Sequence, residues 1–171
     1  MQMHSFVLLL VIVMGTFGVA QKAPDRGPST PEERQRFLNF AHKVESAPLD
    51  ESLRPEREWA TLWLIQVPDI HVNLCTAPLG DFMKKKYKYS SEIVGQLMYS
   101  SAVFVIDHPE KSDDKIAQYL AGVEGALKAY TAILTAKPDA HSKSLDDLLQ
   151  KQSQDQLAST VRESASKACS K

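Results

Sequence analysis

Between Asp113 and Lys137 the large apolar residues Ile116, Leu120, Val123, Leu127, Tyr130 and Leu134 recur at alternating steps of four and three. That spacing lines them along one side of an α-helix. At about 100° per residue, the opposite side collects Ala121, Gly125, Ala129, Ala132 and Ala136. Polar Glu124, Lys128, Thr131 and Thr135 fall on a flank between the two, with Glu124 and Lys128 spaced for an i,i+4 pair. Such a helix can be covered on both sides, and its small face lets another backbone come close. A chain that contains it is expected to fold around it, so the first expectation is one long central helix among others.

The remaining segments read the same way. Thr30-Pro31-Glu32-Glu33 is a helix start, with Thr30 as N-cap, Pro31 at the first helical position and Glu33 placed for a capping box. Phe37, Phe40, Ala41 and Val44 follow at helical spacing until Ala47-Pro48. Pro55 opens a second helix, with Trp59, Leu62, Trp63 and Gln66 on one face, ending before Pro68. Val67 to Gly80 has no clear period and reads as a loop holding Cys75. Ser90 or Ser91 caps a segment from Ile93 to Ile106 that is apolar nearly all round, the most buried helix expected; Val103 to Ile106 alone also fits a strand. Asp107-His108-Pro109 breaks it, and Pro138 stops the central helix. Leu145, Leu148 and Leu149 mark a short helix, and Leu157, Val161 and Ala165 a last one running towards Cys169. The sum is an all-α bundle or stack of hairpins of five to six helices.

The N-terminus bears on compartment. Phe6 to Val13 reads FVLLLVIV and is followed by small residues at Gly18 and Ala20, the pattern of a secretory signal cleaved after Ala20. Ser5 to Ala20 is shorter than the roughly 20 residues that cross a bilayer, so no stable membrane span is expected after cleavage. The preceding MQMHS carries no Lys or Arg, which leaves an uncleaved anchor as the alternative. Residues 1–20 are thus expected to be a signal peptide, 21–29 a flexible Pro- and Gly-containing leader, and 30–171 a single helical domain exported to a periplasm, cell surface or medium. A mature chain of about 150 residues can hide roughly 70% of its unfolded surface, enough for a core without metal. In an oxidising compartment Cys75 and Cys169 are expected to pair, the alternative being two free thiols.

Catalytic signatures are absent from the pattern. His71 and Cys75 stand four apart, but a metal site wants three or four ligands, so no metal or other cofactor is expected. Ser90–Ser91 and Ser100–Ser101 lie in no Gly-x-Ser-x-Gly context. Asp113–Asp114 and Asp146–Asp147 sit near helix starts, where the helix dipole favours negative charge. The enzymatic alternative is a small secreted hydrolase with a cleft lined by His71, His108 and nearby carboxylates.

A non-enzymatic binding or interaction domain is the favoured expectation. Its candidate contact region is the basic and aromatic run Lys84, Lys85, Lys86, Tyr87, Lys88 and Tyr89, which suits a protein or polyanionic surface ligand. A second candidate is the small-residue face of the central helix, were it left uncovered. The formal net charge of −1 disfavours nucleic acid. An envelope structural or assembly role is a further alternative. Ala126, Tyr130 and Pro138 within EGALKAYTAILTAKPDA are similar to the second helix of a tetratricopeptide repeat, over one helix that does not recur. Tyr119-Leu120-Ala121-Gly122, with a cysteine near the C-terminus, resembles small exported helical immunity proteins, which carry more cysteines.

Overall fold

The computed structural model describes residues 26–83 and 86–169; the expected signal peptide, most of the leader, and Lys84 and Lys85 lie outside them. The fold is all-α, with no strand among the described residues. Its helices are α1 (Pro31–Ser46), α2 (Arg54–Gln66), α3 (Ser90–Asp107), α4 (Lys115–Ala136), α5 (Lys143–Ser153) and α6 (Leu157–Ala168). Short 3₁₀ turns span Glu51–Leu53, Ala77–Phe82 and Pro109–Lys111.

The α1 start follows from its sequence. The Thr30 side chain accepts from Glu33 N at 3.2 Å, and Glu33 Oε2 accepts from Thr30 N at 3.0 Å, so two otherwise orphaned amides are satisfied. The end of the expected leader is tied down as well. Ser29 donates its amide and hydroxyl to Asp69 at 2.8 and 2.7 Å, and Arg34 reaches the same carboxylate at 2.8 Å. Burial opposes the Asp69 charge, but the Ser29 and Arg34 hydrogen bonds outweigh it and hold its pKa below the ordinary value.

Two apolar regions meet at α3. On one side Phe37, Phe40 and Trp63 pack with Tyr99, Trp63 stacking on Phe37 at 5.0 Å and Tyr99 meeting Phe40 edge-on at 5.0 Å. On the other, Ile93 and Leu97 join Val123, Leu127, Tyr130 and Ile133 of α4, Leu145 of α5 and Val161 of α6. The buried stripe of α2 is Ala60 and Trp63, continued by Val67; Leu62 and Ile65 face outward, at 57% and 75% exposure. The face expected from Leu62 and Gln66 is therefore rotated, because α1 covers only the Trp63 side.

α3 and α4 approach closely through small residues. A Cβ on Gly122 would lie 2.4 Å from Ser101 Oγ and 2.8 Å from the Leu97 carbonyl oxygen. Ser101 Oγ sits 2.9 Å from Leu97 O and 3.1 Å from Gln118 O, so its one proton links the two helices. Gly125 and Ala129 are buried, so the middle of the small-residue face of α4 is covered by the chain's own helices, while Ala121 and Ala132 are half-buried and Ala136 is exposed. Val103 to Ile106 is helical throughout, and α3 begins without a side-chain cap, Ser91 Oγ donating instead to Glu92.

The segment expected as a plain loop is more ordered than its sequence implies. Fully buried Gln118 accepts from Asn73 N at 2.8 Å and donates to the Ser112 and His71 carbonyls, fixing the extended stretch after α2 against α4. Pro78, Leu79 and Phe82 are buried along a 3₁₀ turn that Gly80, at φ +72°, bends between its halves. Cys75 and Cys169 form a disulfide across 94 positions, tying the end of α6 to this segment. Loop-closure entropy assigns a ring of that size about 4–5 kcal/mol. No helix among the described residues is long and apolar enough to cross a membrane.

The Gly122 contact makes a testable statement. Alanine is favoured over glycine in a helix by about 1 kcal/mol, yet here its methyl meets a backbone carbonyl. Gly122→Ala is expected to destabilise the protein by about 1–3 kcal/mol, read as a lower urea midpoint; a raised midpoint would mean the helices are not in close contact there.

Candidate functional site

The turn between the Ala77–Phe82 segment and α3 carries the described part of the basic and aromatic run. Its shape is set by backbone bonds: Lys86 N donates to Met83 O at 3.1 Å, Tyr87 N to Phe82 O at 3.3 Å, and Ser90 N to Tyr87 O at 3.2 Å. Lys86 adopts φ +52°, a left-handed conformation that costs a residue with a Cβ about 1–2 kcal/mol. The turn is thus held against its local preference, and Lys86 and Lys88 end exposed while Tyr87 and Tyr89 are half-buried.

Tyr87 points inward. Its hydroxyl donates to Ala140 O at 3.0 Å, and its ring meets Tyr89 and Tyr130 edge-on at 5.8 and 6.2 Å. Tyr130, buried on α4, donates to Asp146 Oδ1 at 2.6 Å and accepts from Ser142 N at 2.8 Å. His141 Nδ1 lies 3.2 Å from the same Asp146 oxygen. The two tyrosines therefore pin the α4–α5 connection beside the Lys86–Tyr89 turn.

Between these two chain segments lies an open groove of about 550 Å³. Lys86 and Lys88 line one wall and Lys137 and His141 the other, with Asp139 as the one carboxylate among the described residues of its lining. Lys88 Nζ also stands 5.4 Å over the Tyr89 ring. Lys137 and His141 are additions to the run read from sequence; they lie some fifty residues on, and the Tyr87–Ala140 bond and the Tyr87–Tyr130 ring contact bring them close.

Residues considered for catalysis are dispersed. His71 is exposed and does not line the cavity that His108 lines; His108 ends α3 and stands 3.6 Å from Glu110. Ser101 is buried in the α3–α4 seam, and Asp114 caps α4 by accepting from Ala117 N at 3.0 Å. Asp146 serves Tyr130, and Asp147 pairs with Lys143 at 3.0 Å. Among the described residues no group of three His, Cys, Asp or Glu side chains is placed to hold a metal ion. A second, smaller cavity of about 200 Å³ lies between α1, α3 and α4 and brings His42 and His108 to one rim.

Compared with protein-family models, curated proteins and solved structures, the chain matches none. The likenesses to a tetratricopeptide helix and to immunity proteins stay at the level of the short stretches that carry them, so the functional argument rests on the geometry of this chain.

Burial, with the nearby Tyr89, Asp146 and Glu92, pushes the Tyr87 phenol up to about 12. Burial and the hydrogen bond to Asp146 raise Tyr130 as well. A phenol whose folded pKa lies above its unfolded value of about 10 stabilises the fold below pH 10 and loses that contribution as pH rises towards 12. Ultraviolet titration of phenolate is therefore expected to show a Tyr87 step near pH 12 that Tyr87→Phe removes. A Tyr87 step at the ordinary value of about 10 would mean that its surroundings do not hold the phenol neutral.

Proposed function

We propose that this chain is an exported, non-catalytic helical binding module that holds a polyanionic surface ligand in the groove between Lys86–Tyr89 and Ala136–His141. The observation that carries the reading is the convergence of Lys86, Lys88 and Lys137 on one concave surface whose lining includes, among the described residues, a single carboxylate, Asp139. The long-range tyrosine bonds support it, because they hold both walls in place before any ligand arrives, and preorganisation lowers the cost of binding. Half-buried Tyr89 adds an amphipathic surface at which a sugar ring or lipid headgroup can rest. Lys84 and Lys85, adjoining in sequence, add to the positive charge of the run. The Cys75–Cys169 bridge is compatible with the oxidising compartment that export implies.

The test is co-sedimentation with vesicles containing an anionic lipid, in parallel with calorimetry against a sulfated polysaccharide, each at low and high salt. Lysines near an anionic surface contribute about 1 kcal/mol each, so the triple variant Lys86→Ala, Lys88→Ala, Lys137→Ala is expected to bind about a hundredfold more weakly. All three side chains are exposed, so the variant's unfolding midpoint should match the parent's. Equal binding by parent and variant, or no binding of either probe at low salt, would overturn the proposal.

A further inference from the structure

The groove that gathers Lys86, Lys88 and Lys137 also holds one imidazole. His141 lies in the connection between α4 and α5, on the wall shared with Lys137 and Asp139 and across from Lys86 and Lys88. Its ring is fixed from one edge, where Nδ1 stands 3.2 Å from Oδ1 and 3.3 Å from Oδ2 of Asp146. That carboxylate is itself held, because Tyr130 donates to Oδ1 at 2.6 Å. An ionised carboxylate only accepts, so Nδ1 carries a proton in both charge states of the imidazole. The charge of the ring is therefore decided at Nε2. This nitrogen lies across the ring from the Asp146 contact and has no hydrogen-bond partner among the described residues. The side chain is 63% exposed, which leaves Nε2 available to a ligand.

What Nε2 offers a polyanion differs between the two states. In the neutral ring it is a lone pair, set against sulfate or phosphate oxygens that are acceptors themselves. In the imidazolium it is a donor, and hydrogen bonds between charged partners are the stronger kind. The other groups around the ring do not share this switch. Lys86, Lys88 and Tyr89 approach from the turn before α3, and Lys137 and Asp139 from the ring's own connection. Asp146 of α5 meets the ring with Tyr130 of α4 behind it, while Lys143 and Asp147 of α5 pair with each other at 3.0 Å. Tyr87 bonds to the Ala140 carbonyl next in the chain. Ammonium groups, carboxylates and phenols ordinarily change charge outside the range from about pH 5.5 to 8, whereas imidazole changes within it. Burial carries the Tyr87 phenol further from that range.

We propose, resting on the polyanion reading of the groove, that His141 makes its affinity pH-dependent: the ligand binds with uptake of one proton at Nε2 and is held more tightly as pH falls. The probe is a sulfated polysaccharide, whose sulfates keep their charge throughout the range. Calorimetric titration of the disulfide-bonded protein at constant ionic strength is expected to give about fivefold tighter binding at about pH 5.5 than at about pH 8. That is the effect of one added positive charge near an anionic surface. His141→Gln, neutral at both pH values, is expected to bind like the parent at the higher pH and to lose the gain at the lower. Because the variant also loses the Asp146 contact, a second measurement uses the parent. By linkage, the ring-proton resonance of His141 should titrate at higher pH when the polysaccharide is saturating, and those of His42, His71 and His108 should not move. No binding at either pH overturns the groove as a polyanion site, and the proton uptake with it. Equal binding at the two pH values, a low-pH gain that survives in a folded His141→Gln protein, or an unmoved His141 titration overturns the role of His141 alone.

Discussion

The close contact of α3 with α4 is the constraint on which the rest of the structure depends. Gly122 and Gly125 remove the side chains that would hold the two backbones apart, and Ser100 and Ser101 fill the space with atoms small enough to fit. The Ser101 hydroxyl then bridges carbonyls of both helices. With these two locked, α3 turns its Tyr99 and Ala102 side towards α1 and α2, while α4 turns Leu127 and Tyr130 towards α5 and α6. Both apolar regions are therefore built on one rigid pair.

Buried polar groups extend that pair into the parts that bear on function. Gln118 carries the chain after α2 across α4, and this places Cys75 where Cys169 can reach it. Tyr130 does the same at the other end of α4, holding Ser142 and Asp146 so that Lys137 and His141 face the Lys86–Tyr89 turn. Each such group sits in surroundings where losing its partner costs about 1–3 kcal/mol, so the bonds determine position more than they add stability. Gln96 departs from this rule, its carbonyl oxygen lacking the partner that Gln118 has on every side.

Most helices were legible in the sequence because apolar period, proline and capping residues agree there. Thr30 to Glu33 forms the expected capping box, and Leu157, Val161 and Ala165 are the buried residues of α6. The two-sided pattern of α4 also pointed to cover on both sides, which Gly125 and Leu127 receive. What escaped was set by partners distant in the chain. The stripe of α2 turned towards Trp63 because α1 is its neighbour, and local spacing does not choose between Leu62 and Trp63. Leu79 and Phe82 are buried in a 3₁₀ turn too short to show a period. The groove was half visible: Lys86 to Tyr89 stand out as a run, whereas Lys137 and His141 join them only through Tyr87 and Tyr130. Gln96 and Gln118 gave no signal, since a glutamine in a helix reads the same whether exposed or buried.

Native-state hydrogen exchange of the oxidised protein tests the central claim most directly. If the α3–α4 seam is the foundation, amides from Leu97 to Val105 and from Gln118 to Ile133 should be the slowest in the molecule, exchanging only through global unfolding. α2 and α6 should open at lower free energy. Faster exchange in the seam than in α1 or α6 would contradict the account and place the foundation of the fold elsewhere.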